Sequence, residues 1–301
     1  MTATLPIVGI TVGDPAGIGP EVAVRAAADA RVRAACTPRL FGPADEAGLA
    51  PFVPGVLSAA AGRAAYDAVV EAVHEARAGR IDALATAPIN KEAFALAGLP
   101  WRGHTELLAS LCGVDEVAML FWSEALRVVL ATVHIPLAEV PRAVTAERLE
   151  QTLTLAAREL PDFGVARPRI AVAGLNPHAG EHGLMGREDD EVIAPVVVAA
   201  RGRGLDVTGP IPADTVFLRA LRGEFDLVVA CYHDQGLVPV KLVAFGEAVN
   251  VTLGLPIVRT SVDHGTAFDI AGKGRADASS LIAAVLLAAR LAVSRRARRG
   301  A

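Results

Sequence analysis

Aromatic residues make up only 4% of this 301-residue chain, and cysteine is scarcer still, with three in all. Cys36, Cys112 and Cys231 stand far apart, with no C-x-x-C pair among them, which excludes a disulfide framework and a thiolate zinc site. No apolar run reaches the ~20 residues of a membrane span; the longest, "LIAAVLLAARLAV", is broken by Arg290 and reads as a packed core helix. Charge of one sign is also missing: 29 basic against 33 acidic residues leave about −4, so nothing calls for nucleic acid or a membrane surface. The start, with Met1, Thr2 and Ala3 before "PIVGITV", has neither a basic region nor a small-residue cleavage site. A reducing cytoplasm is the expected setting. Absent too are a G-x-G-x-x-G dinucleotide fingerprint, a Walker A loop ("AGKG" at 271–274 lacks the flanking residues), H-E-x-x-H and G-x-S-x-G.

What remains is an α/β pattern. Short β-branched runs bounded by Gly and Pro occur at "IVGITV", "ALATA" (83–87), "RVVLATV" (127–133), "RIAVAG" (169–174) and "DLVVACY" (226–232). Between them lie helical periods such as "AAGRAAYDAVVEAVHEARAG" and "TAERLEQTLTLAAREL", where Thr145 can cap and Leu149, Leu153, Ala156 and Leu160 share a face. The strands near 116–121 and 127–133 are joined by only "SEAL", too short for a parallel crossover, so a mixed sheet with an antiparallel pair is expected. The length predicts two lobes. The basic end, "SRRARRGA", reads as solvated.

Four of the seven histidines follow a strand or a Gly-rich turn: His134, His178 (with His182 four residues on), His233 and His264. Open α/β sheets collect ligands beyond the carboxyl ends of their strands, so His134, His178 and His233 can converge into a three-imidazole site for a catalytic divalent metal. A structural role for each is the alternative, since spacings of 44 and 55 residues match no local ligand pattern. His74 lies within a helical period. Pro177, Gly180 and Gly183 favour a loop around His178 and His182. Asp214 and Asp234 can orient an imidazole, accept a proton or cap a helix. Lys241 and Arg259 lie in apolar, strand-like runs and can hold phosphate or carboxylate. "GDPAGIGPE" leads into a proline-initiated helix, either as an anion cradle or as a tight strand-to-helix turn.

The blocks "TVGDPAGIGPE" (11–21), "TAPINKEA" (86–93), "GHTE" (103–106), "GLNPHAGE" (174–181), "YHDQGL" (232–237) and "VNVTLGLPIVRTSVDHGTAFDIAGKG" (249–274) resemble, in order, the 4-hydroxythreonine-4-phosphate dehydrogenase (PdxA) family of pyridoxal phosphate biosynthesis. One departure is "FGPADEAGLAPFVPG", shorter than the family usually has. The resemblance implies two α/β/α lobes with an inter-lobe cleft, as in isocitrate and isopropylmalate dehydrogenases. Residues 1–125 with 262–301 would form the first lobe, and 126–261 the second, carrying most metal ligands and much of a homodimer interface. It implies metal-dependent, NAD- or NADP-linked oxidation and decarboxylation of 4-phosphooxy-L-threonine to 3-amino-2-oxopropyl phosphate. The metal (zinc, cobalt, magnesium or manganese) would sit on His134, His178 and His233 drawn from both subunits, which makes His178 a ligand and His182 not one. Substrate would meet His104 and Thr105, on a loop after Gly103, with Lys241, Asn250 and Arg259; Asp214, ranked above Asp234, and Lys241 would serve catalysis. Within the same family, 4-phospho-D-threonate, 4-phosphoerythronate or an aromatic cis-dihydrodiol carboxylate are alternative substrates. From another class, a metal hydrolase or lyase without NAD fits the same three-histidine site.

Overall fold

The computed structural model describes residues 4–299; Met1–Ala3 of the N-terminal reading, and Gly300 and Ala301 of the basic end, lie outside them. Its strands are β1 (Ile7–Thr11), β2 (Thr37–Phe41), β3 (Ala83–Thr86), β4 (Ala118–Trp122), β5 (Arg127–Leu130), β6 (Ile170–Ala173), β7 (Val207–Ile211), β8 (Leu227–Ala230), β9 (Val249–Leu253) and β10 (Arg259–Ser261). The chain packs as two compact units, Met1–Asp115 with Val249–Ala301, and Glu116–Ala248. The divisions fall at 115/116 and 248/249 rather than at 125/126 and 261/262. The reason is strand pairing: β4 pairs antiparallel with β5, while β9 pairs antiparallel with β10, and β10 pairs parallel with β3. A hairpin is not divided between two cores.

In the first unit the strand order is β2-β1-β3-β10-β9, parallel except for β9. Burial of Val8, Ile10, Ala83, Leu84 and Ala85 reflects helices on both faces, which parallel strands require. The helix Ala59–Arg77 is capped by Ser58, whose hydroxyl accepts from the Ala61 N–H. The apolar C-terminal run forms the helix Ser279–Arg299, and Thr260 Oγ1 on β10 donates to its Ala284 carbonyl. Side chains alternate along a strand, so Arg259 and Ser261 face the other side of the sheet.

The "GDPAGIGPE" segment turns out to be a tight turn. A Cβ on Gly19 would stand 2.0 Å from the Val12 carbonyl oxygen, and one on Gly13 2.2 Å from that of Pro88. The amides of Ala16, Gly17 and Ile18 already donate to Asp14 Oδ1, the Asp14 carbonyl and the Thr266 carbonyl, so they are not open to an anion.

In the second unit the order is β4-β5-β8-β6-β7, with only the β4–β5 pair antiparallel. Thr145 caps the helix Ala146–Glu159 by accepting from the Arg148 N–H, and Leu149, Leu153 and Ala156 bury its apolar face. The core gathers Met119, Phe121, Leu130, Val216, Phe217 and Leu237 beneath the sheet. Among the described residues, no helix is long and apolar enough to cross a membrane.

Candidate active site

Each unit carries one cluster of the expected site residues. In the first, strand register builds a polar face: Ser261 pairs with Thr86 on one side and Asn250 on the other, and side chains two residues apart share a face. Arg259, 2% exposed, therefore lies beside Thr252 and Thr86. Its Nη1 donates to Thr252 Oγ1 at 2.9 Å and its Nη2 to Thr86 Oγ1 at 2.8 Å. Thr86 Oγ1 in turn donates to Ser261 Oγ at 3.0 Å. Both partners of the guanidinium are neutral hydroxyls, and burial pulls its pKa down to about 9. Arg259 Nε, Asn250 Oδ1 and His104 Nε2 are buried without a hydrogen-bond partner. A buried cation with free polar atoms around it is favourable only once an anion arrives.

His104 and Thr105 do not sit on a loop; they open the helix His104–Cys112 after an extended Gly103. Their backbone N–H groups are thus among the unsatisfied donors of a helix start. His104 is half-buried as a residue, yet its ring end is enclosed. Burial first, and the Arg259 charge second, hold its pKa well below 6.5, so the ring is neutral at physiological pH.

In the second unit, β8 lies between β5 and β6, all parallel. Leu130 pairs with Ala230, and the ladder continues as Ala131 N–H donates to the Ala230 carbonyl and Thr132 N–H to that of Cys231. Extending this register brings Val133 opposite His233, with His134 next along. The two rings accordingly stand 5.5 Å apart between centroids, tilted by 38°. They line a cavity of about 420 Å³ with Thr132, Tyr232, Leu137 and Asp234. Asp234 Oδ1 lies 2.7 Å from His233 Nδ1, a carboxylate that orients the ring and leaves Nε2 to face a ligand.

His178 follows the carboxyl end of β6, joined to β8 by Gln235: its Nε2 donates to the Gly174 carbonyl and its Oε1 accepts from the Cys231 N–H. Residues 178–183 all have positive φ, from +43° at Glu181 to +88° at Gly183. That conformation costs about 1–2 kcal/mol per residue with a side chain. It leaves His178 and His182 both exposed. Among the described residues, no group of three His, Cys, Asp or Glu side chains could hold a metal ion; His134 and His233 form a pair, and His178 is not brought to them.

Asp214 is exposed in the first turn of the helix Ala213–Leu221, just after β7. Lys241 is a correction: its run forms the helix His233–Ala244, not a strand, and the lysine is exposed. Eight residues beyond His233, it lies about 12 Å further along the helix axis. The run reads as a strand because the helix is apolar all round. Leu237, Val240 and Ala244 face the core, while Val238, Leu242 and Phe245 are 65%, 83% and 80% exposed. Sequence reasoning missed Thr86 and Thr252, the hydroxyls that hold Arg259; only the pairing of strands distant in sequence brings them to it.

Comparison with known proteins places this architecture first in a fold class. A β-decarboxylating dehydrogenase from Thermococcus kodakarensis, 18% identical, superposes with a TM-score of 0.52 over 93% of this chain and 82% of its own, a likeness of fold. The chain belongs to the PdxA family: the model of "Pyridoxal phosphate biosynthetic protein PdxA" matches residues 20–288. A 4-hydroxythreonine-4-phosphate dehydrogenase of Acidithiobacillus ferrooxidans is 48% identical over 98% of both chains. A D-threonate 4-phosphate dehydrogenase of Cupriavidus necator is 46% identical over 98% of this chain and all of its own. The crystal structure of 4-hydroxythreonine-4-phosphate dehydrogenase from Klebsiella pneumoniae, 40% identical, has a TM-score of 0.85 over 97% of this chain and 99% of that one.

Proposed function

We propose that this chain is a metal-dependent, NAD- or NADP-linked dehydrogenase that oxidises the secondary alcohol of 4-phosphooxy-L-threonine, after which the β-keto acid loses its carboxylate as carbon dioxide. The observation that carries the reading is Arg259: a buried guanidinium held by two neutral hydroxyls, beside a neutral His104 and an unpartnered Asn250 Oδ1. Such a cluster suits a ligand that is anionic and also brings a hydrogen-bond donor, as a phosphorylated hydroxy amino acid does. Asp214 is the proposed acceptor of the hydroxyl proton, since Asp234 is engaged with His233; a bound nicotinamide would supply the hydride acceptor. Lys241 adds positive charge for the substrate's acidic groups.

The imidazole pair His134 and His233 fits a divalent metal in donor type, and the proposed third ligand is His178 supplied by a second copy of the chain in a homodimer, since His178 of the same copy is not brought to the pair. Bound there, zinc, cobalt, magnesium or manganese would supply Lewis acidity to the oxidation and to the loss of carbon dioxide. A second copy is supported by the apolar outer face of the His233–Ala244 helix, where Val238, Leu242 and Phe245 surround Lys241. An exposed apolar patch of that kind is what a subunit surface presents before it is covered. A cytoplasmic location accords with three unpaired cysteines, all buried.

A second reading, 4-phospho-D-threonate as substrate, is favoured by the Cupriavidus necator relative. The deciding experiment follows NADH or NADPH formation with 4-phosphooxy-L-threonine, 4-phospho-D-threonate and an aromatic cis-dihydrodiol carboxylate, each before and after chelation and metal return. Turnover of the first, lost on chelation and restored by metal, is expected. Turnover of the second alone selects the alternative, and product without reduced nicotinamide points to a hydrolase or lyase. In the same assay His178→Ala is expected to abolish activity and His182→Ala to keep most of it; equal loss would overturn the assignment of His178.

A further inference from the structure

The left-handed turn that carries His178 is held by a carboxylate outside the proposed reaction. Asp189 is fully buried, at the start of a π-helical turn, Asp189–Ile193. Its Oδ1 accepts the Leu175 N–H at 2.8 Å. Its Oδ2 accepts the Asn176 N–H and the Asn176 Nδ2–H, both at 3.0 Å. Asn176 Nδ2 also donates to Glu188 at 2.8 Å. These donors immediately precede Pro177 and His178.

The far side of the turn passes close to the same group. A Cβ built on Gly180 would lie 3.2 Å from Asp189 Cβ and 3.1 Å from the Gly186 carbonyl oxygen. Asp189 thus holds the chain by hydrogen bonds just before His178 and lies close against it at Gly180 just after. Consecutive left-handed residues persist only where their surroundings over-determine them, and a buried carboxyl group met by three N–H donors supplies such a restraint at the entry to this turn.

We infer that Asp189 is a positioning residue: it fixes the backbone of the 175–180 turn and thereby aims the His178 imidazole as a metal ligand. The inference rests on the metal reading given above. Asp189 touches neither metal nor substrate. It sets the direction of a ligand whose own backbone is strained, and groups that orient ligands typically govern metal affinity by 10–100-fold.

The test titrates the metal-free, full-length protein with Co²⁺ alone, following the visible absorption band of the bound ion, with thermal melting recorded without metal. Asp189→Asn is nearly isosteric, but its amide N–H₂ turns one acceptor oxygen into a donor facing an N–H. A dissociation constant at least tenfold weaker, an altered Co²⁺ band and a cooperative melt are expected. Asp190→Asn, which removes an exposed neighbouring charge, is expected to stay within twofold of wild type. Should Asp189→Asn fail to fold, Asn176→Ala removes the clamp from the other partner, with a threefold or greater loss expected. Wild-type affinity in Asp189→Asn, or in Asn176→Ala where the first does not fold, overturns the positioning role. Wild-type protein that takes up no Co²⁺ overturns the metal reading and the inference with it.

Discussion

At the scale of single residues, the anion cluster depends on keeping an imidazole neutral next to a guanidinium. His104 has its folded-state pKa held well below the 6.5 of an exposed histidine, by burial and then by Arg259. The sign follows from linkage: the unfolded chain binds a proton near pH 6.5 and the folded chain does not, so stability is full above that value and declines as pH falls below it. Replacing the ring by an amide removes this term. Melting curves between pH 5 and pH 7 are expected to show a smaller acid-side loss for His104→Asn than for wild type; parallel curves would mean the ring is not enclosed. His104 was legible as a site residue only through its resemblance to the family, because "RGHTE" by itself reads as a solvated turn. Its neutrality comes from burial first and then from Arg259, 155 positions on in the sequence.

At the scale of elements, the turn between β1 and the helix Gly19–Ala28 has no room for a side chain. A methyl at Gly19 would stand 2.0 Å from the Val12 carbonyl oxygen, and backbone cannot swing aside as a side chain can. Gly19→Ala is expected to destabilise the fold by about 3 kcal/mol, at the upper end of overpacking costs, measured by urea denaturation. A change below about 0.5 kcal/mol would show that the strand and helix can separate. β1, β3, β5, β6 and β8 were readable as β-branched runs between Gly and Pro. β2 and β7 were not, because Pro38 and Pro210 interrupt them; both are edge strands, where a residue without an N–H is tolerated. Lys241 was misplaced on a strand for a similar reason. An apolar run without polar alternation does not distinguish a buried strand from a helix that is apolar on both its core face and its exposed face.

At the scale of the whole molecule, the outer face of the His233–Ala244 helix leaves large apolar side chains in water. Leu242 is 83% exposed, so a charge there leaves the core of the second unit undisturbed. On the proposed homodimer, Leu242→Glu is expected to halve the mass measured by sedimentation equilibrium while the far-ultraviolet circular dichroism stays that of wild type. Activity is expected to fall with dissociation if residues from both subunits build the site. A variant that keeps the wild-type mass would overturn this face as the subunit surface of the proposed homodimer.

The sequence by itself determined the α/β class, the mixed sheet and the family. Each rests on local information: hydrophobic period, a four-residue link too short for a crossover, and motif blocks in a set order. It also singled out the three histidines and Arg259 from their local context, and through that resemblance it named Asn250 and His104. Tertiary structure decided the remainder. Pairing of β3, β10 and β9 set two threonines on the buried guanidinium, and the register between β5 and β8 brought His134 beside His233. The turn at 174–189 folded onto Asp189. Burial and strand register are properties of segments far apart in the chain, and no local pattern encodes which neighbour a buried charge will meet.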